Sequence, residues 1–192
     1  MIDDIWTAVC TCEKVDDDKL RMLIVHMLDH PVLSELDLSH NVISDRGARA
    51  LGKLLNGHSQ LTKLSVPNNS IKSPGAQAIA HALTRNSTLL RLDLRLNQLC
   101  DDGGQAICRA LLRNATLVDV VLAGNELTKP TASVMAQVIT ENNVLTYIDM
   151  SCNRFGQVCL SLLRIGPSKE LYPKAIKIVT SRQKCLRMFN NN

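Results

Sequence analysis

Aromatic residues are nearly missing from this chain: one Trp, two Tyr and two Phe make up 3% of its 192 residues. A single thick core built around rings is excluded. Leu, Ala, Ile and Val must fill the interior, which suits a fold of many thin, similar layers. No run approaches the ~18 consecutive apolar residues that a membrane-spanning helix needs. The N-terminus, Met1-Ile2-Asp3-Asp4-Ile5-Trp6, is acidic where a secretory leader is basic and then apolar. The seven cysteines (Cys10, Cys12, Cys100, Cys108, Cys152, Cys159 and Cys185) are odd in number and follow no regular frame. They predict buried or idle thiols in a reducing, intracellular setting. The net charge of +4 is too modest to decide for or against a nucleic-acid partner. A chain of this length can bury a sufficient core without metals or disulfides.

An internal repeat dominates what is there. Leu33, Leu61, Leu89, Leu117 and Leu145 stand 28 residues apart. Each is followed in the same register by Leu36, Leu64, Leu92, Val120 or Ile148, and then by Leu38, Val66, Leu94, Leu122 or Met150. Asn41, Asn69, Asn97, Asn125 and Asn153 come next, and Ile43, Ile71, Leu99, Leu127 and Phe155 close the unit. The pattern is L-x-x-L-x-L-x-x-N-x-L five times over, the mark of a leucine-rich-repeat solenoid. Leu-x-Leu makes a short strand with its apolar side chains inward, and strands of successive repeats pair in parallel. The asparagine turns the chain out of the strand, and its amide both donates and accepts, satisfying backbone groups of the turn.

The second half of each repeat predicts a helix. Asp45, Ser73 and Asp101 occupy equivalent positions and suit N-caps, with Pro74 and Pro130 where a missing N–H is harmless. Inward positions recur at i, i+1, i+4 and i+5, as in Ala78, Ile79, Ala82 and Leu83. Gly57, Asn86, Asn114 and Asn142 suit left-handed helix exits. Ala48, Gly75, Ala76, Gly103 and Gly104 are small enough to let neighbouring helices approach closely. The unit is of the ribonuclease-inhibitor-like class: an α/β horseshoe with parallel strands on the concave side and helices on the convex side. The expected organisation is a degenerate N-terminal repeat or capping helix over 1–32, five repeats over 33–166 with the last truncated, and a basic tail over 167–192. In the first of these, 15–29 reads as a helix. Leu160, Leu162 and Leu163 begin another that Gly166-Pro167 stops.

Candidate chemistry is sparse. Cys10-x-Cys12 with His26 and His30 imitates a zinc site, but one residue between the cysteines is shorter than the usual two to four. Asp16-Asp17-Asp18 has no calcium-loop spacing after it and reads as negative charge at a helix N-terminus. No phosphate loop, nucleophile elbow or metalloprotease helix occurs. The expectation is a protein without catalytic residues, metal or cofactor. Outward strand positions remain as a protein-binding surface: Glu35, Asp37, Lys63, Arg91, Asp93, Arg95, Asp119, Tyr147 and Asp149. No basic stripe is interleaved with aromatics there, which argues against RNA.

Beyond the repeat consensus, the runs Thr11-Cys12-Glu13-Lys14-Val15-Asp16-Asp17-Asp18-Lys19-Leu20 and Leu28-Asp29-His30-Pro31 carry a family likeness. So do Leu36-Asp37-Leu38-Ser39-His40-Asn41 with Asp45-Arg46-Gly47-Ala48-Arg49-Ala50, Leu94-Arg95-Leu96-Asn97 with Asp102-Gly103-Gly104-Gln105-Ala106, Gly124-Asn125-Glu126-Leu127 with Pro130-Thr131-Ala132, and Ser151-Cys152-Asn153. Over roughly residues 7–156 the chain resembles the leucine-rich-repeat part of the dynein regulatory complex subunit five family, the T-complex-associated testis-expressed proteins. The family has a substantial region before these repeats and continues them past Phe155-Gly156, so the resemblance implies a shortened paralogue or isoform. It also implies a structural subunit of the nexin–dynein regulatory complex, in the cytoskeleton of motile cilia and sperm flagella, with protein partners and no membrane or nucleic acid. The basic tail would be available to acidic tubulin. An alternative is a regulator of an enzyme, as the Ran GTPase-activating proteins and ribonuclease inhibitor are with similar repeats. Charge argues against it: those proteins rely on acidic surfaces or tails, and this chain ends basic. A fragment of an innate-immune sensor is a third reading, without the nucleotide-binding module it would need.

Replacing Asn97 with Leu should cost about 1–3 kcal/mol through orphaned backbone groups, read by urea denaturation. An unchanged unfolding midpoint would contradict the role given to the asparagines.

Overall fold

Twenty-eight residues bring the chain back to the same point one layer further on. A computed structural model describes residues 6–29, 32–57, 60–155 and 177–179. The order is β1 (Trp6–Val9), α1 (Asp17–Asp29), β2 (Leu33–Asp37), α2 (Asp45–Gly57), β3 (Lys63–Ser65), α3 (Ser73–Leu83), β4 (Arg91–Asp93), α4 (Cys100–Leu111), β5 (Asp119–Val121), α5 (Lys129–Glu141), β6 (Tyr147–Asp149) and β7 (Lys177–Val179). The strands form one parallel sheet in sequence order. From β2 to β6 each pairs with its neighbour 28 residues on, as in Leu36 with Leu64 and Leu64 with Leu92. Paired strands lie about 4.7–4.9 Å apart while packed helices need about 8–10 Å, so a stack sharing both bends toward its strands.

The core is the consensus itself. Leu36, Leu64, Leu92, Val120 and Ile148 are buried from strand to strand, with Leu38, Val66, Leu94, Leu122 and Met150 beside them. Leu51, Leu55, Ile79, Leu83, Ile107 and Leu111 meet them from the helices. Burying each such side chain contributes roughly 1.5–3 kcal/mol, and repetition rather than bulk builds the total.

Both ends carry strands that the consensus does not announce. β1 pairs in parallel with β2, so the N-terminal region is a full coil and not only a helix. Subtracting one period from Leu33, Leu36, Leu38, Asn41 and Ile43 gives Ile5, Ala8, Cys10, Glu13 and Val15. Neither the asparagine nor any of the three leucines recurs in that set, which hides the unit. At the other end β7 pairs with β6 through Tyr147–Lys177 and Asp149–Val179, an interval of 30 rather than 28. The basic tail expected over 167–192 thus returns a strand to the sheet. The helix expected around Leu160 to Gly166 lies outside the described residues.

The helix starts correct one expectation. Asp45 and Asp101 do not cap their own helices but those of the next coil. Asp45 Oδ1 accepts the backbone N–H of Lys72 (2.8 Å) and Gly75 (2.9 Å), at the start of α3. Asp17 serves α2 in the same way through Ser44 and Gly47. Asp101 serves α5 through the N–H of Thr128 and both threonine hydroxyls, of Thr128 and Thr131. The Asp16–Asp18 run therefore divides its labour. Asp16 caps α1 through Lys19 N–H, Asp17 caps α2, and Asp18 pairs with Arg46 at 2.7 Å. Ser73, at the equivalent place, donates to the Leu99 carbonyl instead, and α4 starts without a side-chain cap.

Helix exits differ from expectation as well. None of Gly57, Asn86, Asn114 and Asn142 is left-handed. The asparagines form a second ladder on the helix side. Asn86, Asn114 and Asn142 each donate to a carbonyl of the preceding helix (Leu55, Leu83, Leu111) and accept from Leu89, Leu117 and Leu145 N–H.

Close helix approach through small residues holds, with a swap. A Cβ on Gly75 would lie 2.8 Å from Ala48 Cβ, and one on Gly103 would lie 2.9 Å from Ala76 Cβ. In the next layer the partners exchange sizes: Thr131 takes the glycine position and Gly104 takes the alanine position. A Cβ on Gly104 would come within 2.9 Å of Thr131 and 2.6 Å of Leu127 Cδ2. Gly104→Ala should lose about 1–3 kcal/mol from overpacking. Thr131→Gly relieves the Thr131 contact but not that with Leu127, and it also gives up the bond to Asp101. The double variant should therefore lose less than the sum of the two single losses, a non-additivity that a double-mutant cycle measures. Strict additivity would show that the two do not share space.

Burial raises the Asp101 carboxyl, but the hydrogen bonds from Thr128 and Thr131 outweigh it and hold the group below its ordinary 3.8. A depressed folded value stabilises the fold above the ordinary carboxylate range, and that contribution is lost as pH falls through the folded value. Asp101→Ala should therefore be destabilised by about 1 kcal/mol near pH 7. Its deficit should narrow below the ordinary value of 3.8. Urea unfolding across pH checks this; a deficit independent of pH would refute it.

Candidate protein-binding face

Outward positions on β2 to β6 come into line because the register never slips. Glu35, Lys63, Arg91, Asp119 and Tyr147 are successive partners in one column, and Asp37, Ser65, Asp93, Val121 and Asp149 in a second. Within the first column Lys63 Nζ lies 3.0 Å from Glu35 Oε2, and Arg91 Nε lies 3.4 Å from Asp119 Oδ2. Arg95 pairs with Asp93 two residues before it on the same coil, its Nε donating at 2.7 Å. Lys63, Arg91 and Arg95 are thus matched locally.

The aspartates of the central column also serve the backbone. Asp37, Asp93 and Asp149 each accept, through Oδ1, the N–H two residues later: Ser39 at 2.9 Å, Arg95 at 3.0 Å and Ser151 at 2.9 Å. Each starts the bend that takes the chain out of the strand. Asp37, Asp93 and the first-column residues keep part of their surface open, whereas Asp149 is only 2% exposed. Of the nine residues expected to bind, eight stay accessible and Asp149 does not.

Behind the bend stands the asparagine ladder. The side-chain amides of Asn41, Asn69, Asn97, Asn125 and Asn153 donate to a carbonyl of the preceding coil (Cys10, Leu38, Val66, Leu94, Leu122) at 2.6–3.0 Å. Each also donates to carbonyls of its own turn, as Asn97 does to Leu94 and Arg95. Their Oδ1 atoms accept the N–H of Val15, Ile43, Ile71, Leu99 and Leu127, each 26 residues earlier. The residue before each asparagine is left-handed throughout: His40, Asn68, Leu96, Gly124 and Cys152, and Cys12 in the first coil. Gly124 accepts this freely, whereas Leu96 takes it up because the ladder on either side leaves no other path.

Little else among the described residues offers chemistry. Among the described residues no group of three or more His, Cys, Asp or Glu could hold a metal. Cys10 and Cys12 are free thiols, His26 is exposed on α1, and His30 lies outside the described residues. Burial pushes the Cys108 thiol up to about 12, leaving it inert at neutral pH. Burial first, then Glu13 and Asp37, raise the Cys10 thiol. Cys152 is disulfide-bonded, which corrects the expectation of thiols throughout. No described helix is long and apolar enough to cross a membrane.

Comparison with known proteins agrees with this geometry. A leucine-rich-repeat family model matches residues 30–52 and 85–108. Dynein regulatory complex subunit 5 of Macaca fascicularis is 69% identical over 45 residues, that of Mus musculus 70% over 43, and that of Homo sapiens 66% over 44. Those stretches span 22–23% of this chain and 9% of each relative. The solved structure of leiomodin-1 actin-binding site 2 shares the fold, with a TM-score of 0.63 at 21% identity, over 91% of this chain and 96% of that one. The chain is a leucine-rich-repeat solenoid, similar over about 45 residues to dynein regulatory complex subunit 5.

Proposed function

We propose that this chain is a non-catalytic protein-binding scaffold, serving as a structural subunit of the nexin–dynein regulatory complex in the axoneme of motile cilia and sperm flagella. The observation that carries the reading is the 66–70% identity over 43–45 residues to dynein regulatory complex subunit 5, within a solenoid whose recurring turns are held by its own asparagines and aspartates among the described residues. The accessible strand-face residues Glu35, Asp37, Lys63, Arg91, Asp93, Arg95, Asp119 and Tyr147 are the proposed contacts for neighbouring subunits. They sit on a sheet held in register coil by coil, so a partner meets an ordered surface with little entropy left to lose.

Outside β7, the basic side chains of the C-terminal segment, Lys169, Lys174, Arg182, Lys184 and Arg187, supply the proposed contact with acidic tubulin. A tagged chain expressed in ciliated cells should stay on axonemes after detergent and, by proximity labelling, mark other subunits of the complex. Diffuse cytoplasmic signal with no retention would count against the assignment. For tubulin, neutralising those five cations in the full chain should weaken microtubule co-sedimentation. Truncation is a poorer test because β7 pairs with β6. Unchanged co-sedimentation would rule the contact out.

A further inference from the structure

Charge is distributed unequally over the two faces of the solenoid. On the strand face Lys63, Arg91 and Arg95 each have an acid beside them. On the helix face, three successive coils present basic side chains in pairs one helical turn apart. They are Arg49 and Lys53 on α2, His81 on α3 with Arg85 just past its end, and Arg109 on α4 with Arg113 just past its end. All six are exposed. The period stacks Lys53, His81 and Arg109 in one column and Arg85 and Arg113 in a second.

None of the six has an acid within salt-bridge distance among the described residues, and Arg109 donates to the neutral Gln105 at 2.8 Å. The acids of these helices stand at the opposite end, where Asp45 and Asp101 cap the next coil. A helix dipole favours a cation near each C-terminus. It does not account for the second cation four residues away in the Arg49–Lys53 and Arg109–Arg113 pairs, which repels the first, or for three coils in a row without an acid between the pairs.

We propose that this ridge is a docking surface for an acidic polypeptide segment running across the helices. Neighbouring helices lie about 8–10 Å apart, and an extended chain advances about 3.3 Å per residue, so acids at every third position reach successive coils. Single-stranded nucleic acid is the weaker fit, because α2, α3 and α4 carry no Phe, Tyr or Trp on which a base could stack. The inference rests on the chain being a protein-binding scaffold but not on its place in the axoneme. A test with purified protein therefore fails separately from the localisation test.

The probe is a labelled peptide with Glu at every third position, titrated with the full chain at low salt and followed by fluorescence anisotropy. Lys53→Gln combined with Arg85→Gln and Arg109→Gln should weaken binding about tenfold. Lys63→Gln with Arg91→Gln, on the strand face, should change it by less than about twofold. A scrambled peptide of the same composition should bind more weakly than the spaced one. Thermal unfolding establishes that both variants are folded, and Arg113→Gln alone serves if the triple variant is not. No binding by the unaltered chain, undiminished binding by a folded ridge variant, equal loss from the strand-face variant, or tighter binding of a length-matched single-stranded oligonucleotide would each overturn the proposal.

Discussion

Each coil leaves polar backbone groups that only a neighbouring coil can satisfy, and this dependence organises the rest of the structure. An asparagine amide bonds its own turn, the carbonyl of the coil before it, and an N–H 26 residues earlier, as Asn69 does with Val66, Leu38 and Ile43. A buried N–H or C=O without a partner costs about 1–3 kcal/mol, so a coil in isolation carries several such debts beside an uncovered apolar face. The same logic recurs at the helix starts, where Asp17, Asp45 and Asp101 cap the helix of the following layer. It recurs again at the helix exits, where Asn86, Asn114 and Asn142 reach back to the previous helix. Stability in such a stack resides in the interfaces between layers as much as within each layer.

This arrangement bears on function through what it consumes. Polar side chains that would be natural candidates for a site, such as Asp37 and Asp93, are partly committed to holding the bend after the strand. The strand-face cations Lys63 and Arg91 are matched by acids at 3.0–3.4 Å, and Arg95 by Asp93 on the same coil. What stays open is a surface of fixed shape with mixed, locally balanced charge. Such a face discriminates partners by complementarity rather than by long-range attraction. The helix face carries its cations without that balance, so the two sides present different chemistry to their surroundings.

How much was readable in advance depends on whether a residue's role is local. The five asparagines and the inward leucines follow from period and chemistry, because an amide that donates and accepts is needed wherever a chain leaves a buried strand. The small helix residues were readable too, since Gly75 and Gly103 recur at one position. The exchange of sizes between Gly104 and Thr131 was not, because it is a relation between two layers. β1 escaped because Ala8, Cys10 and Glu13 stand where the consensus has leucine and asparagine. β7 escaped because its interval is two residues longer than the repeat.

The sequence alone determined the unit: its length, its inward side chains, its turn-forming amides, and therefore a layered α/β stack with parallel strands. Tertiary structure decided which neighbour each polar group serves. Asp45 has the chemistry of a cap in any context, but only the stacking distance aims it at α3 rather than α2. Leu96 has no intrinsic preference for a left-handed backbone and adopts one because the coils on both sides fix the path. Likewise the outward residues were known by position, yet only the packed sheet sets Lys63 against Glu35 and withdraws Asp149 from solvent. Periodicity is a one-dimensional property that a chain carries by itself, whereas pairing between layers exists only once the layers are in contact.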